Sequence, residues 1–126
     1  MARILIVEDS PTNMALVTIM LESAGHALFY AERALPGIEI AQREPLDLIL
    51  MDVQLPEMDG IEALGVLRAD PRTRHIPVAA LTAYAMKGDR ERLLAVGFDA
   101  YIEKPISYLE FLAEVDALTG GTPPPA

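Results

Sequence analysis

Two hydrophobic rhythms alternate along the chain. Short apolar runs at Arg3-Ile4-Leu5-Ile6-Val7, Leu28-Phe29-Tyr30, Leu48-Ile49-Leu50-Met51, Ile76 to Leu81 and Ala100-Tyr101-Ile102-Glu103 read as strands, the continuous ones buried on both faces as in a parallel sheet. Between them apolar residues recur at helical spacing: Met14, Val17, Met20, Leu21 and Ala24; then Ala34 to Glu44; then Ile61, Leu64 and Leu67; then roughly Lys87 to Ala95; and finally Phe111, Leu112, Val115 and Leu118. Turn chemistry marks the boundaries. Ser10 caps the first helix with Pro11 at its first position, and Gly25 stops it. Pro36 is tolerable only in the first turn of the second helix, which Gly37 makes the weakest. Asp59 is the expected cap of the third helix and Asp70-Pro71 its end; Pro77 is allowed where the fourth strand begins, and Gly97 ends the fourth helix. Ser107-Tyr108-Leu109-Glu110 matches a capping box and opens the fifth.

Five strands alternating with five helices demand a parallel sheet covered on both faces, because short right-handed crossovers allow little else. The expected fold class is therefore α/β, a flavodoxin-like doubly wound (βα)5 with a five-stranded parallel sheet in the order 2-1-3-4-5. One domain is expected over residues 1–119, with residues 120–126, a Gly/Pro segment, as a flexible tail. Composition narrows the function. The absence of cysteine excludes disulfides and thiolate zinc sites, and 126 residues suffice for a core without such staples. With 19 acidic against 10 basic residues, the formal charge of -9 repels a polyanion, so no direct nucleic-acid contact is expected. The opening apolar run is too short for a signal peptide and nothing downstream approaches a membrane span; a soluble cytoplasmic protein is expected.

The candidate chemistry lies where the apolar runs stop. In the expected strand order the first and third strands are neighbours, which brings Glu8, Asp9 and Asp52 together in the crevice where such sheets bind ligands. Carboxylates about 4 Å apart at an effective dielectric near ~20 repel by about 4 kcal/mol per pair, which a proton or a cation must relieve. Oxygen donors in a partly open cleft favour Mg²⁺, which keeps several waters, over Ca²⁺, which wants more oxygens. Thr82 adds a hydroxyl at the end of the fourth strand and Lys104 an ammonium after the fifth. A nucleophile, a metal, a donor and a point charge around one position are what phosphoryl transfer needs. Taken singly, each of these residues has an ordinary role: a strand-end cap for the acids, a backbone bond for Thr82, a solvated charge for Lys104, core packing for Tyr101. His26 and His75 lie near turns without metal-ligand spacing and read as solvated, and the six methionines read as core filling.

Together the fragments Val7-Glu8-Asp9, Leu50-Met51-Asp52, Leu55-Pro56-Glu57-Met58-Asp59-Gly60, Thr82-Ala83 and Lys104-Pro105 resemble a two-component response-regulator receiver domain, over Arg3 to Leu118. The resemblance implies that Asp52 accepts a phosphoryl group from a phosphohistidine on a histidine kinase or histidine phosphotransfer protein. It implies that Asp9, Asp52 and the Gln54 carbonyl bind Mg²⁺ with Glu8 in an outer role, that Thr82 and Lys104 contact the phosphoryl oxygens, and that Tyr101 is the aromatic that changes rotamer. Ala83, Tyr84 and Pro105 take supporting places. The signal is expected to leave through the face of the fourth helix, fifth strand and fifth helix to another protein. The stretches Val7-Glu8-Asp9-Ser10 and Ala85-Met86-Lys87-Gly88-Asp89 are similar to stand-alone cell-cycle and polarity receivers, though hybrid-kinase receivers share much of this. Two positions depart from the usual pattern: Glu8 replaces the commoner first aspartate, and Ser10-Pro11 stand where many relatives carry Asn. Other readings of the residues are an aspartyl-nucleophile phosphatase, which expects a carboxylate where Gln54 stands; a flavin site, whose phosphate Glu8-Asp9 would repel; and an unphosphorylated scaffold, for which Asp52, Thr82 and Lys104 have no use.

Overall fold

The structure, a computed structural model, describes residues 2–82, 88–103 and 107–119. Its elements follow in strict alternation: β1 (Arg3–Val7), α1 (Pro11–Ser23), β2 (Ala27–Ala31), α2 (Ala34–Arg43), β3 (Leu48–Asp52), α3 (Gly60–Ala69), β4 (Val78–Thr82), α4 (Asp89–Val96), β5 (Ala100–Glu103) and α5 (Tyr108–Leu118). All strand pairs are parallel and the sheet order is β2-β1-β3-β4-β5, as expected from the alternation. In register, Val7 lies opposite Met51 and Asp52 opposite Leu81. The residues that follow the apolar runs therefore emerge along one edge of the sheet.

Strand periodicity divides the interior in two. Leu5, Val7, Ile49, Met51, Val78 and Ala80 pack with the buried faces of α2, α3 and α4, whereas Ile4, Ile6, Leu48, Leu50, Ala79 and Leu81 pack with α1 and α5. Every residue of β3 and of β4 is buried, which explains why their sequences run apolar without alternation until the closing Asp52 and Thr82. Phe111 and Val115 of α5, with Val17 and Leu21 of α1, close one core; Leu64 and Leu67 of α3, with Ile38 of α2, close the other.

Local chemistry accounts for the helix ends. The Ser10 hydroxyl accepts the Asn13 N–H at 3.4 Å with Pro11 inside the first turn, and Gly25 at φ 84° ends α1. Asp59 accepts the Glu62 N–H at 2.8 Å and starts α3. Four expectations are corrected. The fourth strand begins at Val78 and not at Ile76, because the Ile76 N–H turns back to the Thr73 carbonyl at 3.0 Å; Ile76 still buries its side chain. α4 starts at Asp89, after Gly88 in the left-handed region, later than the expected Lys87. Ser107 occupies the N-cap of α5 but makes no side-chain capping bond among the described residues; it is exposed, so water competes for the same hydrogen bonds. His26 is half-buried, not solvated: its Nδ1 accepts the Ala2 N–H at 3.0 Å, and burial lowers its pKa despite the opposing charge of Asp116. His75 is exposed, as expected.

Gly37, which weakens α2 by propensity, has a packing reason to be there. A Cβ at this position would lie 2.8 Å from Val7 Cγ2, so α2 can approach β1 only without a side chain.

Candidate functional site

β1 delivers the first two carboxylates. Strand pairing continues one residue past Val7, where the Glu8 N–H donates to the Ala31 carbonyl at 3.0 Å, and this turns the Glu8 side chain inward at 1% exposure. Its Oε1 accepts the Ser10 N–H at 3.3 Å and the Asn13 Nδ2 amide at 3.4 Å. A carboxylate at the N-terminal turn of α1 also meets the positive end of the helix dipole. Asp9, next in the chain, is exposed.

β3 delivers the third. Asp52 is 5% exposed, and its Oδ1 accepts the Gln54 N–H at 2.9 Å. The loop that follows is held tightly: Val53 N–H donates to the Leu81 carbonyl at 3.1 Å, Leu55 is buried, and Glu57 takes a left-handed backbone at φ 69°. Gly60 then brings the start of α3 against the strand end, its N–H donating to the Val53 carbonyl at 3.0 Å; a Cβ there would stand 2.6 Å from the Asp52 carbonyl oxygen.

One carboxylate oxygen from each of Glu8, Asp9 and Asp52 lies within 4.8 Å of the others. Residues far apart in sequence thus meet as the strand order requires. The donor set fits a hard divalent cation: all three are oxygen anions, two are buried and prearranged, and the exposed Asp9 leaves a side open on which Mg²⁺ can keep waters.

β4 and β5 supply the neighbouring wall. Thr82 is 4% exposed and directly follows Leu81, the strand partner of Asp52. Tyr101 pairs in register with Ala80 and packs, half-buried, against the core beneath α2, α3 and α4. Burial first, and then the charges of Glu103 and Asp89, raise its phenol pKa and keep it protonated. Gln54 is exposed and reaches the site through its backbone N–H. Lys104, Ala83, Tyr84 and Pro105 lie outside the described residues.

Two residues at the site carry no catalytic signature in sequence. Asn13 is a polar residue in the first turn of α1, outside its apolar stripe, and only its place one turn after the Ser10 cap hints that it can reach back to Glu8. Gly60 reads as a turn residue, and its close approach to Asp52 becomes apparent once α3 is docked.

The sequence model of the response regulator receiver domain matches residues 4–116. The polar-differentiation response regulator DivK of Brucella anthropi is 43% identical over 117 residues, 93% of this chain and 95% of its own length, and the DivK of Brucella ovis is 43% identical over the same span. Among solved structures, the chain is similar to the receiver domain of the sensor histidine kinase PA1611 from Pseudomonas aeruginosa PAO1, crystallised with a magnesium ion coordinated in the active site cleft. That likeness has a TM-score of 0.87 at 36% identity, covering 94% of this chain and 98% of that one. The chemotaxis response regulator CheY4 of Vibrio cholerae superposes with a TM-score of 0.86 at 26% identity, again over 94% of this chain and 98% of the other. With its strand order, its acidic cluster and these relatives in agreement, the chain belongs to the response regulator receiver domain family and is a regulator of two-component signalling.

Proposed function

We propose that Asp52 is the phosphoacceptor and that its phosphorylation switches the binding of other proteins. The observation that carries this reading is the convergence of Glu8, Asp9 and Asp52 within 4.8 Å at the edge of the sheet. In the proposed step an Asp52 carboxylate oxygen attacks the phosphorus of a phosphohistidine, the O–P bond forms as the N–P bond breaks, and the imidazole nitrogen leaves with the electron pair. Asp9, Asp52 and the Gln54 carbonyl hold the cation, with Glu8 supporting from the outer side. Mg²⁺, when bound, neutralises the carboxylates and the incoming phosphoryl oxygens. The Gln54 N–H at 2.9 Å keeps the Asp52 carboxylate oriented. Thr82 donates its hydroxyl to a phosphoryl oxygen, Lys104 pairs with another, and Tyr101 responds to the movement of Thr82. Ala83, Tyr84 and Pro105 have supporting roles in this reading.

The donor in this reading is a histidine kinase or a histidine phosphotransfer protein. Leu16 and Ile19 stand exposed on α1, whose first turn holds Glu8, and offer it an apolar surface beside the site. Output runs through α4, β5 and α5, where Leu94, Val96 and Leu109 are exposed apolar residues on a chain of formal charge -9. A protein is a better match for that surface than a nucleic acid. Among the described residues no helix is long and apolar enough to cross a membrane. We assign no turnover beyond autocatalytic phosphoryl uptake and slow autodephosphorylation, because Gln54 stands where an aspartyl phosphatase needs an acid/base carboxylate.

Intact-mass spectrometry after incubation with a small acyl phosphate, with and without Mg²⁺, tests the assignment. One phosphoryl group is expected on the wild-type chain only when Mg²⁺ is present, and none on Asp52→Asn. Unchanged Mg²⁺-dependent labelling of Asp52→Asn would overturn it.

A further inference from the structure

We propose that Asn13 is a positioning residue that sets the Glu8 carboxylate for the divalent cation, so that cation affinity depends on a side chain one helical turn away from the acidic cluster. The proposal rests on the metal reading given above.

Glu8 brings one more side-chain torsion to this position than an aspartate, and its backbone is fixed by the 3.0 Å bond to the Ala31 carbonyl. The direction of the carboxylate is therefore decided by what the side chain touches. Oε1 accepts from Ser10 N at 3.3 Å and from Asn13 Nδ2 at 3.4 Å. Ser10 is the N-cap of α1, and Asn13 is the third residue of the helix. In a capping box the side chain at that third position accepts the N–H of the cap residue. Here the roles are redistributed: Glu8, two residues before the cap, accepts the cap N–H, and Asn13 donates its amide to the same oxygen. The amide must face the carboxylate with nitrogen, since an ionised carboxylate only accepts. Asn13 is itself anchored, because its own N–H is held by the Ser10 hydroxyl at 3.4 Å. One glutamate oxygen thus receives the N–H of the cap and the amide of the third helical residue, and both contacts bear on the direction of the carboxylate. A carboxylate oxygen of Glu8 is then held within 4.8 Å of the oxygens of Asp9 and Asp52. The reach of the glutamate and the donor at Asn13 work as a matched pair.

Partners that orient metal-binding groups in this manner typically carry about 10–100-fold in metal affinity. Isothermal titration of the full chain with Mg²⁺ is the test, using Asn13→Leu, which removes the donor at similar size, in the wild-type and in the Glu8→Ala background. The Kd is expected to rise about tenfold on Asn13→Leu in the wild-type background and to stay unchanged on the same replacement in Glu8→Ala. The side-chain amide resonance of Asn13 in the wild-type chain should also move with added Mg²⁺ and yield the calorimetric Kd. That measurement decides the matter should a variant fail to fold. An unaltered Kd in Asn13→Leu, an equal fold-loss in the Glu8→Ala background, or a stationary amide resonance would overturn the pairing while leaving the metal site intact. A wild-type chain that does not saturate with Mg²⁺ would instead remove the metal reading, and this proposal with it.

Discussion

Two glycines of α3 show how a single position acquires its meaning from what lies against it. A Cβ at Gly60 would meet the Asp52 carbonyl oxygen at 2.6 Å and the Val53 Cα at 2.8 Å, both backbone atoms that cannot swing away. Gly65, exposed in the same helix, has no atom of another residue near its Cβ position among the described residues. The same substitution is therefore expected to act with opposite sign. Gly60→Ala should destabilise by about 1–3 kcal/mol, the usual range for overpacking, whereas Gly65→Ala should stabilise by roughly 0.5–1 kcal/mol through helix propensity. Urea unfolding of both variants checks this, and equal shifts of the midpoint would refute the contact. Asn13 and His26 teach the same lesson. The acids Glu8, Asp9 and Asp52 could be singled out because each follows an apolar run. The Asn13 amide and the His26 ring owe their roles to Glu8 and to the Ala2 N–H, residues that the fold brings to them. Local patterning names the groups that end strands; it does not name the neighbours that hold them.

The strands were the most legible elements, because a sheet buried on both faces favours unbroken apolar runs, and β3 and β4 are apolar up to their last residues, Asp52 and Thr82. Helix ends were less so. Asp59 and Ser107 both carry the side chains that favour N-caps and both stand at that position, yet Asp59 accepts the Glu62 N–H at 2.8 Å while the Ser107 hydroxyl makes no capping bond among the described residues. Asp59 closes a loop pinned by buried Leu55 and by the Gly60 N–H, so its side chain is held over the helix end. Ser107 is exposed, and its hydroxyl exchanges with water at little cost. Asp59→Ala should accordingly cost about 1 kcal/mol, and Ser107→Ala should fall within about 0.5 kcal/mol of wild type, as for surface substitutions without a special contact. Thermal unfolding distinguishes the two. A loss for Ser107→Ala as large as that for Asp59→Ala would mean that the capping box forms in solution.

At the scale of the whole molecule, the fold holds an arrangement that its own electrostatics oppose. Two apolar cores on either side of β1, β3 and β4 fix the strand ends, and the strand ends force three carboxylates together in a chain already at -9. Stability supplied by the cores is thus offset at the edge of the sheet, where like charges share a cleft with two members buried. Asp52→Asn removes one charge and keeps the shape, and its side-chain oxygen can still accept the Gln54 N–H. In the presence of a chelator the variant should therefore be more stable than the wild type, by on the order of 1 kcal/mol for a pair relieved in a partly screened cleft. Added Mg²⁺ binds the folded chain and stabilises it in proportion to the logarithm of its concentration over Kd, about 2.7 kcal/mol at a hundredfold excess over Kd. The variant has lost a metal-binding carboxylate, so it gains less, and the order of stabilities should reverse at saturating Mg²⁺. Thermal unfolding of both proteins in EDTA and across a Mg²⁺ series measures each half of this inversion. A variant less stable than the wild type in EDTA would mean that the contacts of the Asp52 carboxylate outweigh its repulsion by Glu8 and Asp9, and a parallel rise of both proteins with Mg²⁺ would move the cation away from Asp52.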